Sequence, residues 1–196
     1  MQLKTILNQV LKIKSFVYGA VRWVEGDEEP TIEIEVRRRA NSRSECNICG
    51  RRCPGYDRLP ERRFEFIPFW GIKIFFLYAP HRVQCPLCGV KVERMPWVTG
   101  KHQLTDAYAW YLAGWAKRLS WKEVAEAFRT TWDHVFHSVE MAVLWGRKHM
   151  DMSNINAIGV DEIQWKRGQK YLTLVYQIDA HCKRLLWIGK KRKVKT

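Results

Sequence analysis

The alternation of apolar and polar residues divides the first hundred positions into one helix and several strands. Apolar side chains at helical spacing predict an amphipathic helix over residues 3–17. Strict alternation over residues 31–36 (TIEIEV) predicts a strand that follows a turn at residues 26–30. Further strands are predicted at 63–67, 72–78 and 90–92.

The pattern changes at Leu104 and again at Asn154. Apolar residues spaced three and four apart predict three helices, over residues 104–118, 121–128 and 132–149. After Asn154, three β-rich runs cover residues 154–165, 171–179 and 184–188, with a charged turn at residues 166–170. The sequence therefore predicts an α+β protein. We expect a helix and strand at 1–42, a cysteine-bearing domain at 43–103, a helical domain at 104–150 and a sheet domain at 151–196.

Composition adds a preference for a polyanionic partner. The chain of 196 residues carries 34 Lys and Arg against 20 Asp and Glu, a net charge of +14. This charge favours nucleic acid first and an anionic membrane surface second. The content of apolar residues, 46%, excludes a wholly disordered chain. Because neither a secretory signal nor a membrane span is recognisable, we expect a cytoplasmic protein.

Two Cys-x-x-Cys-Gly motifs predict a metal site. They are Cys46 with Cys49 and Cys85 with Cys88, each pair followed by glycine. Two intervening residues let both thiolates of a motif reach one ion, and four thiolates complete a closed tetrahedral shell for structural Zn²⁺. Strands between the motifs favour a zinc-ribbon-like module. Buried or redox-active cysteines are the alternative, and Cys53 is either an extra thiol or a substitute ligand.

The second and third predicted helices have the spacing of a helix-turn-helix. Ser120 and Glu123 form a capping box at the start of the second helix, and a short turn precedes the third. In that arrangement the third helix reads DNA with its N-terminal part. An ordinary helical hairpin is the alternative. The candidate DNA contacts are Lys122, Arg129, Thr130, Thr131, Trp132, His134 and His137.

An acidic residue, Asp161, lies within the first apolar strand after residue 154. Burying a carboxylate is costly unless it has a partner or a function. One such function is binding Mg²⁺ for phosphoryl transfer with two metal ions. The order of strands matches the start of an RNase H-like fold, with the first carboxylate midway along the first strand. The alternative is a solvated carboxylate on the face of a strand.

Together, the paired cysteine motifs, the predicted helix-turn-helix and the strand Ile158-Gly-Val-Asp-Glu resemble the ISL3 family of insertion-sequence transposases. The resemblance implies a zinc-binding domain, a helix-turn-helix and a DDE catalytic domain of RNase H type. It makes Cys46, Cys49, Cys85 and Cys88 the zinc ligands and Asp161 the first carboxylate of the triad, which binds Mg²⁺. The implied partner is double-stranded DNA at the terminal inverted repeats, with a second copy or a full-length transposase as protein partner and a location at the nucleoid.

The chain departs from this family in its acidic residues. Members of the family are about twice as long, and their second and third carboxylates come far downstream. Here only Glu162 and Asp179 follow Asp161. We therefore expect a truncated sheet of RNase H type and no DNA cleavage by this chain alone. The alternatives are a zinc-dependent DNA-binding regulator or inhibitor of transposition, and a zinc module that contacts proteins or the ribosome.

Overall fold

A computed structural model describes residues 3–25, 29–168 and 170–190, and part of the predicted turns at 26–30 and 166–170 lies outside them. The chain forms two compact units, residues 1–146 and 147–196. Both helices and sheets are present, so the predicted α+β class is confirmed. Among the described residues, no helix combines the length and the apolar character that crossing a bilayer requires.

The described residues form four helices and twelve strands. The helices are α1 (Leu3–Val10), α2 (Asp106–Trp115), α3 (Trp121–Ala127) and α4 (Trp132–Lys148). The strands of the first unit are β1 (Phe16–Val24), β2 (Thr31–Arg38), β3 (Ser44–Glu45), β4 (Arg52–Cys53), β5 (Gly55–Arg58), β6 (Arg62–Phe69), β7 (Ile72–Tyr78), β8 (His81–Cys85) and β9 (Gly89–Val92). Those of the second unit are β10 (Ile158–Lys166), β11 (Lys170–Asp179) and β12 (Cys182–Lys190).

The main core of the first unit lies on one face of a four-stranded sheet. The strand order is β1-β2-β7-β6, with β2 and β7 parallel and the outer pairs antiparallel. Alternate side chains of β2, β6 and β7 are buried on the same face, as period-two patterning requires. Leu7 of α1 and Trp97, after β9, complete this core.

The N-terminal helix is shorter than predicted. It ends at Val10, and the rest of the predicted helical region enters β1 at Phe16. Ser15 has a positive φ of 69°, which breaks the helical path. Phe16 and Tyr18 are buried in the sheet core, so tertiary packing outweighs the helical spacing of the residues before them.

The strands near the cysteines belong to three different sheets. β6 and β7 join β1 and β2, so this sheet includes residues on both sides of position 42. The cysteines are instead held by β3 with β4 and by the three-stranded sheet β5-β8-β9. The metal-site residues therefore lie on or beside short strands. The sequence predicted strands of the larger sheet but not their pairing into one sheet.

The three helices α2, α3 and α4 share a small core of their own. It contains Leu112 of α2, Val124 and Ala125 of α3 and Val135 of α4. Thr105 joins this segment to β6, because its N–H and its hydroxyl both donate to the carbonyl of Glu65, at 2.9 and 3.0 Å. The start of α2 is therefore fixed to the edge of the main sheet.

The second unit contains an antiparallel sheet in the order β10-β11-β12. All three predicted strands are present. Leu174 is buried, whereas Val160 and Trp187 are 63% and 50% exposed. The apolar side chains of this sheet are therefore poorly buried among the described residues.

Candidate metal centre and nucleic-acid interface

The four predicted zinc ligands come together in the structure. The Sγ atoms of Cys46, Cys49, Cys85 and Cys88 all lie within 4.8 Å of one another, and those of Cys49 and Cys85 are 3.5 Å apart. A tetrahedron with zinc–sulfur bonds of about 2.3 Å has sulfur–sulfur edges of about 3.8 Å. The cluster therefore fits one tetrahedral metal ion, with sulfur ligands of the kind that zinc accepts.

Glycine residues shape both cysteine turns. Gly50 and Gly89 have φ values of 70° and 72°, in the left-handed region that glycine enters at no steric cost. The turn before Gly50 closes with a hydrogen bond from its N–H to the carbonyl of Cys46 at 2.9 Å. Cys85 and Gly89 are paired across β8 and β9. These turns bring the two thiols of each motif to the same side.

The thiols of the second motif differ in acidity before any metal binds. Burial raises the pKa of the Cys85 thiol, but hydrogen bonds from the backbone N–H groups of Leu87 and Cys88 and from the thiols of Cys49 and Cys53 together outweigh this effect and lower the pKa to about 6. Burial, together with hydrogen bonds that the Cys88 thiol donates to the neighbouring sulfur atoms, raises the pKa of Cys88 to about 12. A bound cation would stabilise the thiolate of Cys88, since metal ligation deprotonates cysteine.

The two remaining cysteines have different positions. Cys53 is buried in the same apolar cluster as Cys46 and Cys85, but its Sγ donates to the carbonyl of Arg51 at 3.3 Å. Burial is the main cause that raises its pKa. Cys182 begins β12 in the second unit. Cys53 is thus a neighbour of the four-sulfur group and is not one of its members.

A buried carboxylate that the sequence analysis did not single out joins the metal centre to the main sheet. Glu93 is 1% exposed, and its Oε1 accepts from the hydroxyl of Tyr78 at 2.5 Å and from the N–H of His81 at 2.8 Å. Its Oε2 forms an ion pair with Arg38. The backbone of Glu93 is paired with that of Cys46. No local motif marks this residue, because its partners come from three distant strands or strand ends.

Caps fix both helices of the predicted helix-turn-helix segment. The capping box of α3 is present: the N–H of Glu123 donates to the Ser120 hydroxyl at 3.3 Å, and the N–H of Ser120 donates to the Glu123 carboxylate at 2.8 Å. These hydrogen bonds lower the pKa of Glu123. At α4, the N–H of His134 donates to the hydroxyl of Thr131 at 3.2 Å. The start of α4 is therefore defined by its own side chains.

The predicted DNA contacts at the starts of α3 and α4 differ in exposure. The Lys122 side chain is 83% exposed and lies 3.7 Å from Glu126, one helical turn along α3. Trp132 is half exposed, and its ring stacks on that of Phe136 with centroids 5.4 Å apart. Thr131 is exposed at the helix start. These three side chains reach solvent and could meet a ligand.

The two histidines lie on the same helix in different environments. His134 is half-buried, and its Nδ1 lies 2.9 Å from the hydroxyl of Thr130. Burial lowers the pKa of His134. His137 is exposed, with its Nδ1 3.4 Å from Glu140. Thr130 and His134 therefore stabilise the turn, and His137 is the more accessible of the two histidines.

Arg129 is already engaged within the first unit. Its Nη1 lies 2.6 Å from Oε1 of Glu29, and its Nη2 donates to the carbonyl of Gly71. The residue has a positive φ of 50° in the turn between α3 and α4. A phosphate would have to compete with these two partners for the guanidinium group.

Asp161 is exposed in the middle of β10 and is paired with Leu174 of β11. Its carboxylate accepts a hydrogen bond from the N–H of Glu162 at 2.7 Å. Successive residues of a strand point to opposite faces, so the Glu162 side chain lies on the other face. Asp179 lies five residues beyond Leu174 along β11, about 17 Å away at the rise of a strand.

The described residues do not form a two-metal site around Asp161. Mg²⁺ binds oxygen ligands at about 2.1 Å, so carboxylates that share an ion must be close neighbours. Asp179 is too distant, and its carboxylate accepts hydrogen bonds from the side chain of Gln177 and from the N–H of Asn156. Among the described residues, the four cysteines form the one group of at least three His, Cys, Asp or Glu side chains that lie close enough to hold one metal ion. Within the described residues, Asp161 therefore has no neighbouring set of carboxylates with which to share Mg²⁺.

Comparisons with known proteins give one kind of relative. The model of the DDE transposase family of ISL3 type, described as "Transposase", matches residues 158–196. The transposase for insertion sequence element IS1557 of Mycobacterium tuberculosis is 32% identical over 158 residues, which are 78% of this chain and 34% of that protein. The transposase for IS1001 of Bordetella parapertussis is 28% identical over 183 residues, 91% of this chain and 44% of that protein. The chain thus spans less than half the length of these relatives, and no solved structure matches it.

Proposed function

The chain is related to the ISL3 family of insertion-sequence transposases, as its motifs predicted, and we propose that it binds the DNA ends of such an element. The observation that carries the proposal is the exposure of the starts of α3 and α4, where Lys122 of α3 and Thr131 and Trp132 at α4 reach solvent beside capped turns. The charge of +14 supports a polyanionic partner. DNA transposition, the activity of a whole transposase, is proposed only for a catalytic domain in which further carboxylates join Asp161.

In the proposed complex, α3 and α4 act as a helix-turn-helix. The N-terminal part of α4 enters the major groove, where side chains such as His137 contact the edges of bases. Lys122 contacts a phosphate and positions the helix without reading sequence. Arg129 can contact a second phosphate only after its ion pair with Glu29 breaks. The helix caps keep this surface in place before DNA binds.

The metal centre has a structural role in this proposal. The four cysteines would hold one Zn²⁺ and leave no open position for a reacting group. Such an ion would stabilise the short strands β3, β4, β8 and β9, which bury little apolar surface themselves. Asp161 would be the first metal-binding carboxylate of a sheet of RNase H type, in which further carboxylates complete a centre for Mg²⁺. This chain by itself is then a DNA-binding protein, located at the nucleoid in the cytoplasm, with a second copy or a full-length transposase as its protein partner.

Duplex binding by the zinc-loaded chain tests the proposal. We expect fluorescence anisotropy to show tighter binding to a duplex with the terminal inverted repeat than to a scrambled duplex. The affinity should fall steeply between about 0.05 and 0.2 M salt. Lys122→Ala should weaken binding to both duplexes and reduce the salt slope by about 1. His137→Ala should reduce the preference for the repeat.

Arg147→Ala is the matched control, because Arg147 lies in the last turn of the same helix, away from the proposed DNA-binding end. It should leave the affinity within about twofold. Absence of duplex binding at low salt would refute the proposal, and weak binding insensitive to salt would favour a zinc module that contacts proteins. Duplex binding without cleavage in Mg²⁺ agrees with the expected inactivity of this chain. If the chain nicks DNA and Asp161→Ala abolishes the nicking, this chain has a working catalytic centre that includes Asp161, and the expected inactivity is wrong.

A further inference from the structure

Three adjacent grooves meet at the junction between α1 and β1, away from the helices proposed to read DNA. Their volumes are about 300, 390 and 630 Å³, and Ser15 lines all three. No residue of α2, α3 or α4 is among the lining residues. The cationic residues that line them are Lys12, Lys14, Arg38, Arg39, Arg43, Arg52 and Arg94.

Most of this positive charge is not neutralised by the protein. Lys12, Lys14, Arg39, Arg43 and Arg94 are exposed, and within the part of the chain that the structure describes none forms an ion pair. The other two cations have partners, because Arg38 pairs with Glu93 and Arg52 lies 3.6 Å from Glu45. Glu45 is the one acidic residue among those that line the three grooves.

Hydrogen bonds hold the two cationic segments together. The carbonyl of Ser15 accepts from the N–H of Arg39 and from the hydroxyl of Ser42, both at 3.0 Å. The same hydroxyl lies within donating distance of the Arg39 carbonyl, at 2.8 Å. The segment that carries Lys14 is therefore fixed against the segment that carries Arg39 and Arg43. Because the backbone of both segments is already fixed, less conformational entropy is lost when their cations bind an anion than on flexible segments.

We propose that these grooves form a second contact surface for the phosphate backbone of duplex DNA, here called the Ser15 groove. This inference rests on the proposed function and extends it, because it assigns sequence-independent binding to a surface separate from α4. One small anion would contact only a few of the five unpaired cations, whereas a nucleic-acid backbone presents phosphates at regular intervals. Cationic contacts of this kind supply affinity and salt dependence without reading bases.

A triple substitution in the full zinc-loaded chain tests the proposal. Lys14→Ala with Arg39→Ala and Arg43→Ala removes three unpaired cations of the Ser15 groove. Each lost phosphate contact lowers the slope of log K against log salt by about 0.9, so we expect a decrease of about 2 to 3. The affinity for repeat and scrambled duplexes should fall by the same factor, at least about tenfold at 0.1 M salt.

The matched control removes three exposed cations that do not themselves line the groove: Arg22→Ala, Arg58→Ala and Lys91→Ala. It carries the same net charge as the groove variant, so equal losses in both variants would overturn the proposal. So would an unchanged slope in the groove variant, or a loss confined to single-stranded RNA.

Two further measurements separate the remaining causes of a loss. The variant Lys14→Arg with Arg39→Lys and Arg43→Lys keeps the charge and should keep the slope; an equal loss in this variant would show a packing defect and overturn the proposal. If the unsubstituted chain binds no duplex, the proposed function itself fails. If the unsubstituted chain binds duplex and the groove variant binds it equally well, the proposal for the Ser15 groove is refuted and the proposed function stands.

Discussion

Replacing Glu93 with alanine should destabilise the first unit strongly. The carboxylate has no exposed side-chain surface and satisfies three groups: the guanidinium of Arg38, the hydroxyl of Tyr78 and the N–H of His81. Alanine leaves all three without their acceptor in a region from which water is largely excluded. The Arg38 side chain is itself only 14% exposed, so its charge would remain desolvated.

The size of this effect follows from the burial of the pair. Removing one partner of a buried ion pair costs about 3–5 kcal/mol, because the remaining charge is not compensated. An exposed pair contributes no more than about 1 kcal/mol. Asp57, whose carboxylate pairs with Arg82 at 40% exposure of both side chains, gives the matched control. Asp57→Asn should therefore cost less than about 1 kcal/mol.

Urea unfolding of the zinc-loaded chain measures the difference. Tryptophan fluorescence reports the core, in which Trp97 is 1% exposed, and a zinc-sensitive dye reports release of the metal. With an m value of about 1–3 kcal/mol per molar, Glu93→Ala should lower the midpoint by more than about 1 M. Metal release should move with it, since Glu93 is paired with Cys46. A midpoint equal to that of Asp57→Asn would refute the assigned role of Glu93.

Three other predictions concern the metal, the helical core and pH. The chain should bind one zinc per molecule by elemental analysis; Cys85→Ser should lower that content, whereas Cys53→Ser should keep it, and the opposite result would reassign the ligands. Val135 is fully buried and Val143 is 54% exposed on the same helix. Val135→Ala should therefore cost about 2 kcal/mol and Val143→Ala less than about 0.5, with equal costs in thermal denaturation contradicting the packing of α4. Burial lowers the pKa of His134, so its contribution to stability is present above the unfolded pKa of about 6.5 and is lost as the pH falls. The melting temperature should thus decrease from about pH 7.5 to 5.5, and His134→Gln should reduce that decrease; an undiminished decrease would assign it to another group.

Features encoded within a few residues could be predicted from the sequence. The turns of the cysteine motifs need left-handed glycines, and Gly50 and Gly89 supply them. The capping box of Ser120 and Glu123 spans four residues, and the structure contains both of its hydrogen bonds. The alternation of apolar and polar residues in β2 predicted a strand, because successive side chains of a strand point to opposite faces of the sheet.

Features that depend on distant partners could not be predicted in this way. The end of α1 at Val10 is set by burial of Phe16 and Tyr18 in a sheet whose other strands lie far along the chain. The pairing of β2 with β7 joins strands separated by the whole first cysteine motif. Glu93 is one acid among many in the sequence, and only the fold brings its partners from β2, β7 and β8 together.

The proposed DNA contacts combine local and distant constraints, and Arg129 shows how the two interact. The sequence places it in the turn before α4, where a cation suits a phosphate. The fold pairs it with Glu29 at 2.6 Å and with the carbonyl of Gly71, which anchors the turn to the loop after β6. If DNA takes Arg129 from Glu29, binding must offset the loss of that anchor, whereas Lys122 has only an exposed, weak pair to give up. Lys122 should therefore contribute more to duplex affinity than Arg129, although both precede the same helix. Removal of Glu29 should raise the contribution of Arg129, because it frees the guanidinium group for phosphate.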